Sequence, residues 1–209
     1  MTRYARRERA ALADELERTG PDAPTLCAGW TARDLAAHVV VRERRPHAAV
    51  GVAVPPLKGL TERVQAGVAR RPYDELVRLV RTGPPSWSPL GWGPLDEASG
   101  LVEFAVHTED VRRAQEAWQP RVLDADEQER LWARLRGVAR LSLRRAPGAV
   151  TLRAPGREPL TVGAGEEVVV AGEPLELLLW TTGRTGHAQV ELRGDAGAVA
   201  RLRGTRLTI

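Results

Sequence analysis

Glu103 and His107 stand four residues apart in EFAVHTED, residues 103–110, in a chain with only 4 histidines. On a helix such a pair shares one face with Cβ atoms about 5–6 Å apart, so it either points at one ion or forms a polar pair on the helix surface. Two ligands do not make a metal site. His38 is the third candidate, set in TARDLAAHVVVRE among Leu35, Ala36, Ala37, Val39 and Val40. A histidine in so apolar a run is either a hydrogen-bonded core residue or an inward-facing ligand. Combined with Glu103 and His107 on a neighbouring helix it reads as a ligand. Two histidines and one carboxylate with an open fourth position are the donor set of a catalytic zinc site. Iron(II), nickel and other first-row ions suit the same donors, so zinc is the first expectation and the identity stays open. Cys27 is the only cysteine, which leaves no intrachain disulfide and no CxxC motif, and the expected metal ligands are therefore histidines and carboxylates.

Other polar residues fall around this centre. Asp110 lies three residues after His107 and seven after Glu103, on the same helical face, where it orients His107 or shuttles a proton in catalysis. The competing role is a surface pair with Arg113. Arg42 and Arg45 follow His38 by four and seven residues and are candidates for binding the carboxylates of an acidic thiol or substrate, Arg42 with a part in catalysis. The alternative is that both reach solvent and pair with Glu43 or Glu109. His47 follows Pro46 in a loop, and His187 sits in the turn GRTGHAQ, expected to be exposed. Cys27 reads as a small buried apolar residue near the bundle mouth. Trp87 and Trp92, in the loop TGPPSWSPLGWGP, wall a pocket or pack over the bundle.

The elements that must position these residues come in two textures. Helical periodicity predicts helices over 2–19, from Thr31 to before Pro46, over 57–81 with a break at Arg71-Pro72, over 96–117, and from Asp124 through LWARLRGVARL. The second is the best marked: Thr31 caps it, Asp34 completes a capping-box-like pair, and Trp30 can staple onto Leu35. After RRAPGA, residues 144–149, the runs VTLRA, PLTVG, EEVVVAG and AQVELRG read as short strands, with EPLELLLWTTGR helical between the last two. The expectation is an α+β protein with a helical bundle over 1–145 and a small α+β domain over 150–209. VGAGEE lacks the lysine of a phosphate-binding loop and lies between strands.

Composition removes other classes. No run approaches the ~20 apolar residues of a membrane span, and the charged start MTRYARRERAAL is unlike a signal peptide, so a cytoplasmic protein without membrane association is expected. The pI of 10.1 invites nucleic acid, but the formal net charge is only +4. Lys58 is the sole lysine, and the arginines alternate with acids as in RRERAALADELER, so no one-signed stripe exists for nucleic acid.

With these residues in place, GWTARDLAAHVV followed by VEFAVHTEDVRRA resembles the DinB-like, mycothiol-dependent maleylpyruvate isomerase superfamily of actinobacteria. The resemblance implies a four-helix bundle holding a divalent metal, usually zinc, through a histidine on the second helix and an E-x-x-x-H pair on the last. These positions fall on His38, Glu103 and His107. The tail, with GEPLELLLWTTGR before a strand and a GD turn, resembles the small sterol-carrier-protein-like domain appended to such bundles. Many members read HH where this chain has His107-Thr108. The implied chemistry places the thiol of mycothiol at the open metal position, where a coordinated thiol is deprotonated outright. Addition of that thiol to an activated alkene followed by expulsion gives an isomerase; addition alone gives a transferase. The partners are then a small thiol and a small electrophile, and the chain a monomer or homodimer. Two other classes fit the same residues: a non-catalytic module that binds a metal and an apolar ligand, and a metal-assisted hydrolase with Asp110 as base.

Overall fold

Thr31 and Asp34 open the second helix through reciprocal bonds: the Thr31 amide and hydroxyl donate to Asp34 Oδ2 at 3.0 and 2.8 Å, and the Asp34 amide donates to Thr31 Oγ1 at 3.4 Å. That capping box fixes where α2 begins and so which face His38 presents two turns later. The computed structural model describes residues 3–44, 58–85 and 93–207, without the side chains of Lys58, Leu60 and residues 93–99. Arg45, His47, Trp87 and Trp92 lie outside the described residues. The chain divides into two compact units, Met1–Gln119 and Pro120–Ile209.

The first unit is built from α1 (Arg3–Thr19), α2 (Ala32–Arg44), α3 (Lys58–Ala69), α4 (Tyr73–Thr82) and α5 (Gly93–Arg112). The expected break at Arg71-Pro72 separates α3 from α4, since proline cannot continue a helix. These two short helices together take one position of a four-helix bundle. α5 packs along α1, α3 and α4 against α2, and α4 also against α1. Leu12, Leu16, Leu35, Val39, Leu76, Val80 and Phe104 form the shared core, each fully buried. Every residue from Phe104 to Val111 is buried, polar ones included, so α5 is the central helix and its charges must be satisfied inside. It ends at Arg112, five residues short of the expected 117. The Gln115 side chain takes the Val111 carbonyl at 2.8 Å and Arg112 reaches the Gln119 carbonyl at 3.1 Å, which turns the chain away.

The second unit comprises α6 (Ala125–Ser142), β1 (Ala149–Arg153), β2 (Leu160–Val162), β3 (Glu167–Ala171), α7 (Pro174–Thr181), β4 (Glu191–Gly194) and α8 (Ala196–Arg203). The sheet runs β2-β1-β3-β4, with β1 and β3 parallel and both edges antiparallel. Gly148 and Gly163 let its ends converge: a Cβ on either would stand 2.5 or 2.6 Å from a carbonyl oxygen of the facing turn. α7 is buried on all sides. Here the boundary expected at 144–149 is moved: α6 groups with the sheet, not the bundle. Its Gln128 Oε1 accepts from the Leu175 amide at 3.2 Å, satisfying an orphan donor in the first turn of α7. We expect residues 1–119 to melt cooperatively when expressed alone, whereas residues 150–209, deprived of α6, show no transition in a thermal melt followed by circular dichroism. α8 has no counterpart among the expected elements; Asp195 caps it by accepting from the Gly197 and Ala198 amides at 2.8 and 3.0 Å.

Candidate metal centre

α2 and α5 bring the three expected ligands together. His38 Nε2 and His107 Nε2 each lie 3.3 Å from Glu103 Oε1. The three donor atoms fall within 4.8 Å of one another. Metal–ligand bonds of about 2.0–2.2 Å at tetrahedral angles give donor–donor edges of roughly 3.4 Å, so the two histidine–glutamate distances already match edges of a zinc-sized site. The ring of His38 stands 5.0 Å from Trp30 and 5.5 Å from His107, the latter edge-on, which leaves both Nε2 atoms on the Glu103 side. His107 is 9 % exposed and the side chains of His38 and Glu103 are 17 % and 22 % exposed, so the cluster sits at a partly open end of the packing.

Asp110 is fully buried and meets the opposite edge of the His107 ring, Nδ1 to Oδ2 at 2.9 Å. Holding the proton on Nδ1 aims the Nε2 lone pair at Glu103, the arrangement that orients ligating histidines. Arg113, the alternative partner expected for Asp110, donates through Nε to Glu109 Oε2 at 2.5 Å, and its guanidinium lies 4.6 Å from the Trp118 ring centre. Asp110 is thus placed to orient the His107 ring. Arg42 Nε stands 3.5 Å from Glu103 Oε1, placing it at the cluster, and Glu43 pairs with Arg9. His187 is exposed, as expected. Cys27 is partly buried, and its thiol donates to Asp110 Oδ2 at 3.2 Å. Sequence spacing could not show that contact, because it depends on how the 24–31 turn meets α5.

Electrostatics follow from this crowding. Burial pushes the Glu103 carboxyl up, but the charge of His107, hydrogen bonds from His107 and His38, and the Arg42 charge outweigh it and hold Glu103 well below the usual carboxylate range. Burial likewise opposes charge on His107, yet the Glu103 charge and hydrogen bonds with Asp110, Cys27 and Glu103 raise it well above the usual histidine value. Without an ion, both shifts favour the charged forms of Glu103 and His107. Asp110→Asn should lower metal affinity about 10–100-fold while leaving the fold intact, as loss of an orienting carboxylate does elsewhere; isothermal titration with zinc or cobalt measures it.

These features define an α+β protein whose helical bundle presents a two-histidine, one-carboxylate cluster of the kind that binds divalent metal. Residues 2–88 match the mycothiol maleylpyruvate isomerase N-terminal domain. The matched stretch contains His38 but stops before Glu103 and His107. Two crystal structures share the fold, each over 90 % of this chain and 90 % of their own: mycothiol-dependent maleylpyruvate isomerase, at 17 % identity and a TM-score of 0.62, and a variant of it with one histidine replaced by alanine, at 16 % and 0.61. No curated protein matches the sequence. No helix among the described residues is long and apolar enough to cross a membrane.

Proposed function

We propose that the bundle holds one divalent first-row ion, zinc in the first instance, through His38 Nε2, the Glu103 carboxylate and His107 Nε2, and that it catalyses mycothiol-dependent chemistry on a small electrophile. The observation that carries this reading is the convergence of three donors from two helices, backed by a buried carboxylate. When bound, the ion supplies a Lewis-acidic position at which a thiol is deprotonated at neutral pH. Asp110 keeps the His107 proton on Nδ1. Arg42, its side chain 19 % exposed, offers a guanidinium to a carboxylate of the thiol or the electrophile. The same role is proposed for Arg45 on its sequence position alone. Addition and expulsion of the thiol would isomerise a cis alkene; retention of the adduct would be S-transfer. Maleylpyruvate, named in the family and in both structures, is the first electrophile to test.

Calorimetry of mycothiol into metal-loaded protein, in two buffers of different ionisation enthalpy, should register binding with release of about one proton. Maleylpyruvate should then turn over only with thiol present. Substrate turnover without thiol would point to metal-assisted hydrolysis, and neither heat nor turnover would reduce the site to a metal-binding module.

Metal affinity should also depend on pH with a definite sign. The ion must displace the Nε2 proton of His107, whose raised pKa keeps it protonated above the ordinary value of 6.5. Affinity should therefore rise about tenfold per pH unit from near neutrality and level off once that proton is lost. The metal-free chain responds oppositely. The raised pKa stabilises its fold fully below the unfolded histidine value, and this contribution fades as pH rises through the folded one. Titrations and melts from pH 6 to 9, with and without metal, separate the two trends.

A further inference from the structure

The edge of His107 turned away from Glu103 carries a second set of donors. Cys27 Sγ lies 3.2 Å and His107 Nδ1 2.9 Å from Asp110 Oδ2, and the three donor atoms fall within 4.8 Å of one another. The position of Cys27 is built by backbone. The Leu26 amide donates to the Asp110 carbonyl at 2.9 Å, tying the turn to α5 beside the site, and Pro24 bridges Thr31 across the turn. Within the turn the Trp30 amide donates to the Cys27 carbonyl at 2.9 Å and the Cys27 amide to Thr25 Oγ1 at 3.2 Å. Asp110 and His107 are buried while Cys27 is partly exposed, so the set opens on the cysteine side.

We propose that Cys27, Asp110 and His107 form a second metal site, selective for a thiophilic cation, that cannot be filled together with the first. A thiolate, an imidazole and a carboxylate favour soft or borderline ions such as cadmium, zinc or copper(I) over harder ones. Tetrahedral edges of roughly 3.3–3.6 Å ask for only a slight opening of the observed contacts. Exclusion follows as long as the ring stays a neutral imidazole, which has one protonated nitrogen and one lone pair; only loss of its second proton would let it serve two ions. The His38–Glu103–His107 site uses the Nε2 lone pair and keeps the proton on Nδ1 against Asp110. The second site uses Nδ1 and leaves the proton on Nε2, while the Cys27 proton departs to solvent and nothing is oxidised. A soft cation held there removes both a ligand and its orienting partner from the first site. The competition rests on the first site being a metal centre; the existence of the second does not.

Cadmium titrated into metal-free, full-length protein should bind at about one ion per chain and produce ultraviolet thiolate-to-metal charge-transfer absorption. Alkylation of Cys27 by iodoacetamide should slow at least tenfold, and the cadmium-saturated chain should refuse cobalt. Cys27→Ser should lose the absorption yet still bind one ion through the histidine–glutamate set. His38→Asn should lose cobalt binding and keep the cadmium–thiolate absorption. Unprotected Cys27 and no such absorption in the wild type, with cobalt still bound, would overturn the second site. Binding of cadmium and cobalt together would overturn the exclusion, and loss of the absorption in His38→Asn would show one mixed ligand set instead of two. Failure of wild-type protein to bind cobalt at all strikes the proposed function and leaves the cadmium result standing.

Discussion

Glu103→Ala and His107→Ala proteins, purified and dialysed beside the wild type, should fall from about one bound ion per chain to background. Glu103 Oε1 is the atom on which His38, His107 and Arg42 all converge, at 3.3, 3.3 and 3.5 Å. Its removal leaves two imidazoles and a guanidinium facing one another with no anion between them, a surrounding that repels a cation. His107→Ala takes away the nitrogen that Asp110 orients. Each loss should exceed the 10–100-fold cost of removing an orienting partner, and thiol-dependent activity should disappear with the metal. Elemental analysis and direct titration decide the matter. Full occupancy in both variants, with circular dichroism showing an intact bundle, would exclude this cluster as the metal site.

The largest effect on stability should come from a residue far from any chemistry. Arg9 on α1 and Glu43 on α2 are 3 % and 2 % exposed and form a forked ion pair inside the bundle. Arg9 Nη1 also donates to the Val80 carbonyl at 2.9 Å, near the end of α4, and the guanidinium lies 4.3 Å from the Phe104 ring centre on α5. One side chain of α1 thereby touches three other helices. Truncating either partner strands a buried charge, so Glu43→Ala or Arg9→Ala should each cost about 3–5 kcal/mol. That is a large share of the roughly 5–15 kcal/mol available to a domain. Replacing both by Met and Leu should cost far less, because the penalty lies in the unpaired charge and not in the absence of the bridge. Urea melts of the two single variants and the double variant provide the test, and equal losses in all three would refute this account.

The convergence of His38, Glu103 and His107 was legible in the sequence for a local reason. An i,i+4 pair on a helix and a histidine inside an apolar run follow from helical geometry, and the Thr31–Asp34 cap fixes the phase of α2. The contact of Asp110 with His107 was legible by the same periodicity. The contact of Cys27 with Asp110 was not, since it depends on a hydrogen bond between the Leu26 amide and a carbonyl more than eighty residues away. Nor could the expected ligand types suggest it, because a single cysteine outside any CxxC motif looks like core filling. The allegiance of α6 was hidden for a related cause: an amphipathic pattern says which face of a helix is apolar but not which neighbour covers it. α8 escaped notice as a short run rich in alanine and glycine, with only an aspartate cap to announce it.

The division at Gln119 has a consequence for the order of events during synthesis. Every described residue of both candidate sites lies in Met1–Gln119, the part of this sequence translated first. Helical bundles of local topology fold in microseconds to milliseconds, whereas the remaining residues emerge at about 5–20 per second. The first unit thus has a head start of several seconds in which to bring the proposed ligands together. An ion bound as proposed would then be selected from whatever is free around the ribosome before the second unit exists.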